Sequence, residues 1–570
     1  MYTTSTAFLD ALCEAGVSYL FANFGSDHPA ILESLAEAKA TGRRTPEPIT
    51  CPNEMVALAA AQGFAQITGR AQAVLVHVDC GTQSLAGAVH NAARSRTPVL
   101  IFAGQSPLTQ NGELRGSRNE FIHWIQDVFD QRGIVREYVK YNYEIRTGAN
   151  IKQMVHRALQ LALSDPQGPV YLTAAREVME QETPPVAGAW ADYPPLRPSA
   201  IPAFDVAVLA GELAAARRPL VVTSYLGRNA SAVEDLVSFC RAAAVGVLDS
   251  NPTHVNFPAD DPMYQGVQGN EPRQNPVLAE ADVILLLDTD VPWIPLVNGP
   301  KPDARIYHID ADPLKEKMPL WHIPIKRAFR CDAATALRQL TEHIGTMALD
   351  TQLVEERRAH YAQLHESRSR QLVTREQPPS DVITAECLVA AIRERCGERT
   401  IFLNEGITNY KAIADHLRAQ HPSTLFTSGG SSLGWNGGAA IGMKLACPDR
   451  MVVCLTGDGS YMFSQPSTVH WMARRYGTPF LQVVFNNRGW NAPKFSTLAV
   501  HPDGYASRAE DLGLSFDPPP DYAGIAAAAG GAWAGSARLP EELAPALDEA
   551  LRVVREERRC AVLDVWLPRL

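Results

Sequence analysis

The chain has 570 residues, 46% of them apolar and 20% charged. This is an ordinary globular composition with room for about three domains at roughly 100–200 residues each. Its 52 Lys+Arg against 62 Asp+Glu give a net charge of −10, which is not the basic footprint of a nucleic-acid binder. No apolar run nears the roughly 18 residues of a bilayer span. The start Met1-Tyr2-Thr3-Thr4 carries no basic stretch, so a cytoplasmic protein with no membrane partner is expected. The cysteines form no CxxC pair and the histidines no HExxH, which sets aside a zinc ribbon or a zinc protease.

In chain order, the first block holds two apolar runs, Ala73–Val78 and Pro98–Phe102, flanking an Ala/Gly-rich helical stretch from Thr82 to Ala93. A proline-rich linker follows from Pro184 to Pro198, where neither helix nor central strand can continue. The second block has the runs Pro219–Thr223, Val283–Leu287 and Arg305–Ile309, and ends in a polar segment from Glu355 to Ser380 that reads as another boundary. In the third, Met451–Thr456 and Phe480–Phe485 are the clearest strands. Continuous apolar strands alternating with helices indicate parallel sheets covered on both faces. The expected fold is α/β, three doubly wound parallel-sheet domains over 1–183, 199–345 and 375–570, with no evident internal repeat. No GxGxxG or GxxxxGK[ST] occurs, so the default dinucleotide and P-loop readings are weak.

The third block carries the sharpest chemistry. Its strand Met451–Thr456 runs into Gly457-Asp458-Gly459-Ser460, and residues 460–485 separate this from Asn486-Asn487-Arg488-Gly489. Alone, either would be an ordinary turn. Together, two parallel strands would bring a carboxylate and an amide oxygen to one carboxyl-end crevice, where α/β folds bind ligands. Completed by a backbone carbonyl and phosphate oxygens, that set suits Mg²⁺, and the glycines admit a diphosphate to backbone N–H groups.

This pattern resembles the signature of the thiamine-diphosphate (ThDP) enzymes related to acetolactate synthase, benzoylformate decarboxylase and pyruvate decarboxylase, and the resemblance extends over the whole chain. It implies pyrimidine-binding, central and diphosphate-binding domains in that order. Asp458, Asn487 and the carbonyl of Gly489 would hold Mg²⁺. Gly457, Gly459 and Ser460, with Asn404-Glu405-Gly406-Ile407-Thr408-Asn409, would cradle the diphosphate, and Gly406, Thr408, Asn409 and Trp490 would contact the cofactor. The stretch Ser428 to Gly442 resembles the loop that bends the cofactor into a V, with Leu433 as the wedge between its rings and Ser431 offering its carbonyl to the 4′-amino group.

In the first block, Asn53 makes an N-cap for an Ala-rich helix from about Met55 to Thr68, and Glu54 sits in the first turn, where the helix dipole alone would favour it. The resemblance makes Glu54 the acid that protonates N1′ of the aminopyrimidine. It also implies substrate contacts for Ser26, catalytic roles for His77 and His28, a cofactor contact for Gln105, and at least a homodimer, commonly a tetramer, because Glu54 of one chain would serve the diphosphate domain of another. Trp124, Trp293, Trp490 and Phe495 are candidate pocket aromatics. The central block lacks the further active-site histidine of benzoylformate decarboxylase, and Ser224–Asn229 is too poor in glycine to support FAD. The expected reaction makes or breaks a C–C bond beside a carbonyl of a 2-oxo acid or acyloin. An acyl-CoA lyase or oxalyl-CoA decarboxylase-like enzyme is the alternative, and a non-catalytic ThDP-binding homologue is the alternative of another class.

Overall fold

The computed structural model describes residues 2–185, 188–378 and 381–569. It contains three six-stranded sheets in which the paired strands run parallel. The first comprises β1 (Tyr19–Ala22), β2 (Glu47–Thr50), β3 (Gln72–Val76), β4 (Val99–Gln105), β5 (Tyr141–Ile145) and β6 (Val170–Ala175), in the order β2-β1-β3-β4-β6-β5. The second comprises β7 (Pro219–Thr223), β8 (Gly246–Ser250), β9 (Tyr264–Gln268), β10 (Val283–Leu287), β11 (Arg305–Asp310) and β12 (Arg327–Arg330), in the order β12-β11-β10-β7-β8-β9. The third comprises β13 (Ile401–Glu405), β14 (Leu425–Phe426), β15 (Val452–Gly457), β16 (Leu481–Asn486), β17 (Trp533–Ala537) and β18 (Ala561–Trp566), in the order β14-β13-β15-β16-β18-β17.

Counted within each sheet, the first and third share one strand order. The residue sequence shows no repeat, so this kinship lives in topology alone. The middle sheet instead has the order of the dinucleotide-binding folds, with its switch point between β7 and β10. The central strands β3, β7 and β10 are buried throughout while the edge strand β17 alternates, as expected for sheets covered on both faces.

Two sequence expectations are corrected. The strand read as Ala73–Val78 stops at Val76; His77 is the N-cap of a helix Val78–Ser84, and Val78 stands at φ 34°. A buried acceptor, Asp27 Oδ2, takes the Val78 N–H at 3.1 Å and bends the chain out of the sheet. The polar boundary from Glu355 is part of a 25-residue helix, Thr351–Arg375. It reads as a linker because one face is solvated, but Arg357 is buried and donates to the carbonyls of Ala214 and Ala243, and Tyr361 donates to Pro219 O at 2.7 Å. That helix therefore caps ends of central-domain elements. Pro379 and Ser380 of the same expectation lie outside the described residues.

The first and third domains share one apolar core. Its seam is two helices, Glu54–Thr68 and Asn436–Ala446, pressed together through glycine. A Cβ on Gly442 would fall 1.9 Å from Ala60 O, and one on Gly63 2.4 Å from Ala439 O. Only glycine permits that approach.

Candidate active site

At the carboxyl ends of β15 and β16 the third domain delivers the expected residues. Asp458 is buried at the start of a short helix, its carboxylate accepting from Gly459 N at 2.7 Å and Gly489 N at 3.2 Å. Burial pushes its pKa up to about 6, a cost that a bound cation would remove. Asn487 stands beside it on the loop that Gly489 closes, and its buried Oδ1 has no hydrogen-bond partner. An acceptor desolvated without a donor is costly, so this atom fits a cation ligand. Among the described residues, no group of three or more His, Cys, Asp or Glu side chains is arranged to hold a metal ion by itself. The set fits a hard ion held by one carboxylate, an amide and phosphate oxygens.

The cradle is shaped by its glycines. A Cβ on Gly459 would strike the Trp490 ring at 2.2 Å, and Trp490 packs edge-on against Phe516. Ser460 is buried and Gly457 half-buried on the same turn. Facing them at the end of β13, Gly406 is buried while Thr408 and Asn409 are half-buried, and Ile407 stands at φ 44°. Glu405 departs from the expected cradle. Its buried carboxylate accepts the backbone N–H groups of Gly434, Trp435 and Asn436 at 2.6, 3.1 and 2.8 Å, so it braces the bend before helix Asn436–Ala446. Burial raises its pKa to about 7. Within that bend Ser431 is exposed at φ 60° and Leu433 is half-buried.

The first domain contributes a second polar group of residues. Asn53 Oδ1 caps its helix through Val56 N at 3.2 Å, and the buried Glu54 carboxylate accepts from Asn23 Nδ2 at 2.7 Å. Gly81 lies so close that a Cβ there would be 3.1 Å from Glu54 Oε1. At the end of β4, Gln105 holds a buried Oε1 without a partner, a second atom that fits an absent donor. Beyond it, Asp27 Oδ1 meets His77 Nδ1 at 2.5 Å and His28 Nδ1 at 3.1 Å. Burial alone would raise Asp27, but the two histidines hold its pKa below the ordinary carboxylate value. The Asp27 bond in turn raises His77 against the effect of desolvation. His28 lies behind Asp27, fully buried, its Nδ1 accepting from Gly25 N at 3.0 Å. That position suits a support of Asp27 more than a proton donor to substrate.

Sequence reasoning missed three neighbours. Gln126 Oε1 lies 2.9 Å from His77 Nε2, His123 Nε2 lies 3.2 Å from Ser26 Oγ, and Arg176 donates to Ser26 O at 3.0 Å. All three come from loop or short-helix positions with no motif around them. Of the candidate aromatics, Trp293 belongs to the central-domain core, while Trp124 and Phe495 are about half exposed.

Among the described residues, no hydrogen bond or ion pair joins Glu54, Gln105, Asp27 or His77 to Asp458, Asn487 or their glycine cradle. The bend before helix Asn436–Ala446 docks instead on a different part of the first domain: His90 Nε2 contacts Gly430 O at 3.0 Å, Asn91 donates to Ser432 O at 2.8 Å, and Gln62 to Ser428 O at 3.0 Å. Glu54 lies two helical turns before Gln62 on its helix.

The central switch point is filled by the protein itself. Arg96 of the first domain enters it, gripping Asp290 through two bonds of 2.6 and 3.2 Å with its guanidinium 4.0 Å over the Tyr225 ring. Lys315 bonds Asp310 at 2.6 Å and Asp290 at 2.8 Å, and Tyr225 donates to Asp310. Burial would raise Asp310, but Lys315, His308 and Arg96 hold it well below the usual carboxylate range.

Family models match this architecture in three pieces. The N-terminal TPP binding domain of thiamine pyrophosphate enzymes matches residues 2–134, the central domain 206–352 and the C-terminal TPP binding domain 406–565. The chain belongs to the thiamine pyrophosphate enzyme family. It is 25% identical to a sulfoacetaldehyde acetyltransferase of Castellaniella defragrans, over 100% of this chain and 93% of that protein. It is 26% identical to the acetolactate synthase isozyme 3 large subunit of Escherichia coli, over 89% and 85%. Among solved structures, a ThDP-dependent 4-hydroxybenzoylformate decarboxylase from Rhodococcus jostii RHA1 shares the fold at TM-score 0.79 and 20% identity, covering 100% of this chain and 99% of that one. This ThDP enzyme is thus of the lyase or transferase kind. Among the described residues, no helix is long and apolar enough to cross a membrane.

Proposed function

We propose that this ThDP enzyme, working as a pair of copies, cleaves the C–C bond beside the carbonyl of a small 2-oxo acid and either releases an aldehyde or joins the retained fragment to a second carbonyl. The observation that carries the reading is the orphaned Asn487 Oδ1 beside buried Asp458 at neighbouring strand ends. ThDP, when bound, supplies the carbon nucleophile and the electron sink. Asp458, Asn487 and the Gly489 carbonyl would hold Mg²⁺, and Gly457, Gly459, Ser460, Gly406, Thr408 and Asn409 would surround the diphosphate. Leu433 and the Ser431 carbonyl would shape the cofactor's bend, with Gln105 and Trp490 flanking it. Glu54 would hold a proton at the pyrimidine N1′, and the Asp27-backed His77 would move one at the substrate.

A second copy is supported by the separation of the two groups of residues, and by apolar side chains left exposed on one segment: Leu108, Leu114, Phe121, Ile125 and Phe129 are all more than half exposed. A patch of that kind marks a partner surface. The filled central crevice supports a reaction without FAD and without a CoA-bound acyl group. Glu54→Gln tests the reading: ThDP and Mg²⁺ should still bind by calorimetry, while turnover falls by about 100-fold or more and exchange of the thiazolium C2 proton, followed by NMR, slows with it. Unchanged exchange would sink the assignment of Glu54.

A further inference from the structure

Resting on the role proposed above for the Ser431 carbonyl, the geometry points to Asn91 as a positioning residue that aims this carbonyl at the cofactor. Asn91 is buried, on the helix Ala86–Arg94 of the first domain. Its carboxamide grips Ser432 twice: Oδ1 accepts the Ser432 N–H at 3.0 Å, and Nδ2 donates to Ser432 O at 2.8 Å. Ser432 stands between Ser431 and Leu433, the two residues proposed to shape the cofactor's bend. One side chain, a donor and an acceptor in one plane, therefore holds the peptide units on both sides of Ser432.

The Ser432 N–H belongs to the same peptide unit as the Ser431 carbonyl. That unit is trans, so its N–H and C=O lie in one plane and point in opposite directions. Capture of the N–H by Asn91 therefore turns the Ser431 carbonyl away from Asn91, and Ser431 is exposed, within reach of a ligand. A peptide unit whose N–H is already bonded also presents a stronger carbonyl acceptor. The direction needs holding, because Ser431 stands at φ 60°, in the left-handed region that a serine adopts at a cost. Other groups anchor the bend on either side. Ser428 Oγ takes the Ser431 N–H at 3.0 Å, His90 Nε2 donates to Gly430 O at 3.0 Å, and Glu405 takes the N–H groups of Gly434, Trp435 and Asn436. The two units that meet at Ser432 are the ones Asn91 orients. The fit is close: a Cβ on Gly87 would fall 1.7 Å from Ser432 Oγ, so glycine there lets Ser432 reach the amide.

Cofactor binding, without turnover, tests this. ThDP and 4′-deamino-ThDP, which lacks the amino group that the Ser431 carbonyl would accept from, are each titrated calorimetrically in the presence of Mg²⁺. Wild-type protein should bind ThDP about fivefold tighter than the deamino form, the effect of one hydrogen bond. Asn91→Leu, of similar size, should shrink that preference to about twofold or less by weakening ThDP, with the deamino form held within about twofold of wild type. Asn91→Asp, which keeps an acceptor for the Ser432 N–H, should retain most of the preference. Gly87→Ala leaves the amide in place but displaces Ser432; it should repeat the Asn91→Leu pattern and guards against a variant that fails to fold. Equal weakening of both cofactor forms, a full preference in Asn91→Leu or Gly87→Ala, or a preference lost as completely in Asn91→Asp as in Asn91→Leu overturns the inference. Wild-type protein that does not distinguish the two forms would remove the proposed role of the Ser431 carbonyl, and the aiming with it. Failure of the proposed reaction would show separately, as turnover that survives in the Glu54→Gln enzyme.

Discussion

The outer domains and the central domain put the same architectural position to opposite uses. At the strand ends of the first and third sheets, buried acceptors wait without donors: Gln105 Oε1 and Asn487 Oδ1. At the switch point of the central sheet, in the strand order that elsewhere takes a dinucleotide, charges answer one another, Arg96 with Asp290 and Lys315 with Asp310. Unsatisfied buried oxygens cost stability and persist where something else completes them, whereas a mutually bonded network completes itself. Buried oxygens without partners also end central strands, Thr223 Oγ1 on β7 and Gln268 Oε1 on β9, so the contrast lies in the paired charges that fill the switch point, and the fold alone does not say which crevice binds.

The contrast can be broken by three substitutions. Asp458→Ala should weaken Mg²⁺-dependent ThDP binding by at least about 100-fold, read calorimetrically, while the cofactor-free protein melts close to wild type, since relief of a desolvated carboxylate offsets the two backbone hydrogen bonds it accepted. Arg96→Met should do the reverse. It strands part of a buried charge network and should cost about 3 kcal/mol in urea unfolding, with ThDP affinity changed far less. A ThDP site lost as completely as in Asp458→Ala would show that the central network is part of the cofactor site after all.

The third concerns Asp249, buried in the central domain, which accepts from Asn256 at 2.9 Å and Tyr264 at 2.9 Å. Burial pushes its pKa from 3.8 to about 7. The folded state then holds a proton that the unfolded chain has released, so this residue's contribution is full below about pH 4 and falls as pH rises towards 7. Asp249→Asn should flatten that part of the stability profile in chemical denaturation across pH 4 to 8. An unchanged slope would mean that the carboxylate ionises at its ordinary pH.

Much of the candidate site's placement was legible in the sequence. Asp458 and Asn487 sit at the ends of uninterrupted apolar strands, and Asn53-Glu54 opens a helix with an ordinary cap, so pattern and local chemistry agree there. His123, Gln126 and Arg176 were not legible because each reaches Ser26 or His77 from a segment with no periodicity, through contacts 49 to 150 positions away in sequence. The early end of β3 depends on Asp27, fifty-one residues before Val78, taking one backbone N–H. The common strand order of the outer sheets was hidden for another reason: side chains have diverged while pairing, which needs only backbone, has not. Glu405 shows the limit from the other side. It lay within a motif, yet its carboxylate is used up by three backbone donors.

The glycine seam between helices Glu54–Thr68 and Asn436–Ala446 has one more consequence. On the function proposed above, it would fix Glu54 and the Ser431–Leu433 bend of one chain to a single block, with each serving a different site of the pair. Defects in the two halves should therefore complement across chains. Mixed dimers of Glu54→Gln and Asp458→Ala subunits, each inactive alone, would carry one site with both lesions and one with neither, and co-refolding them should recover a measurable fraction of the parental rate.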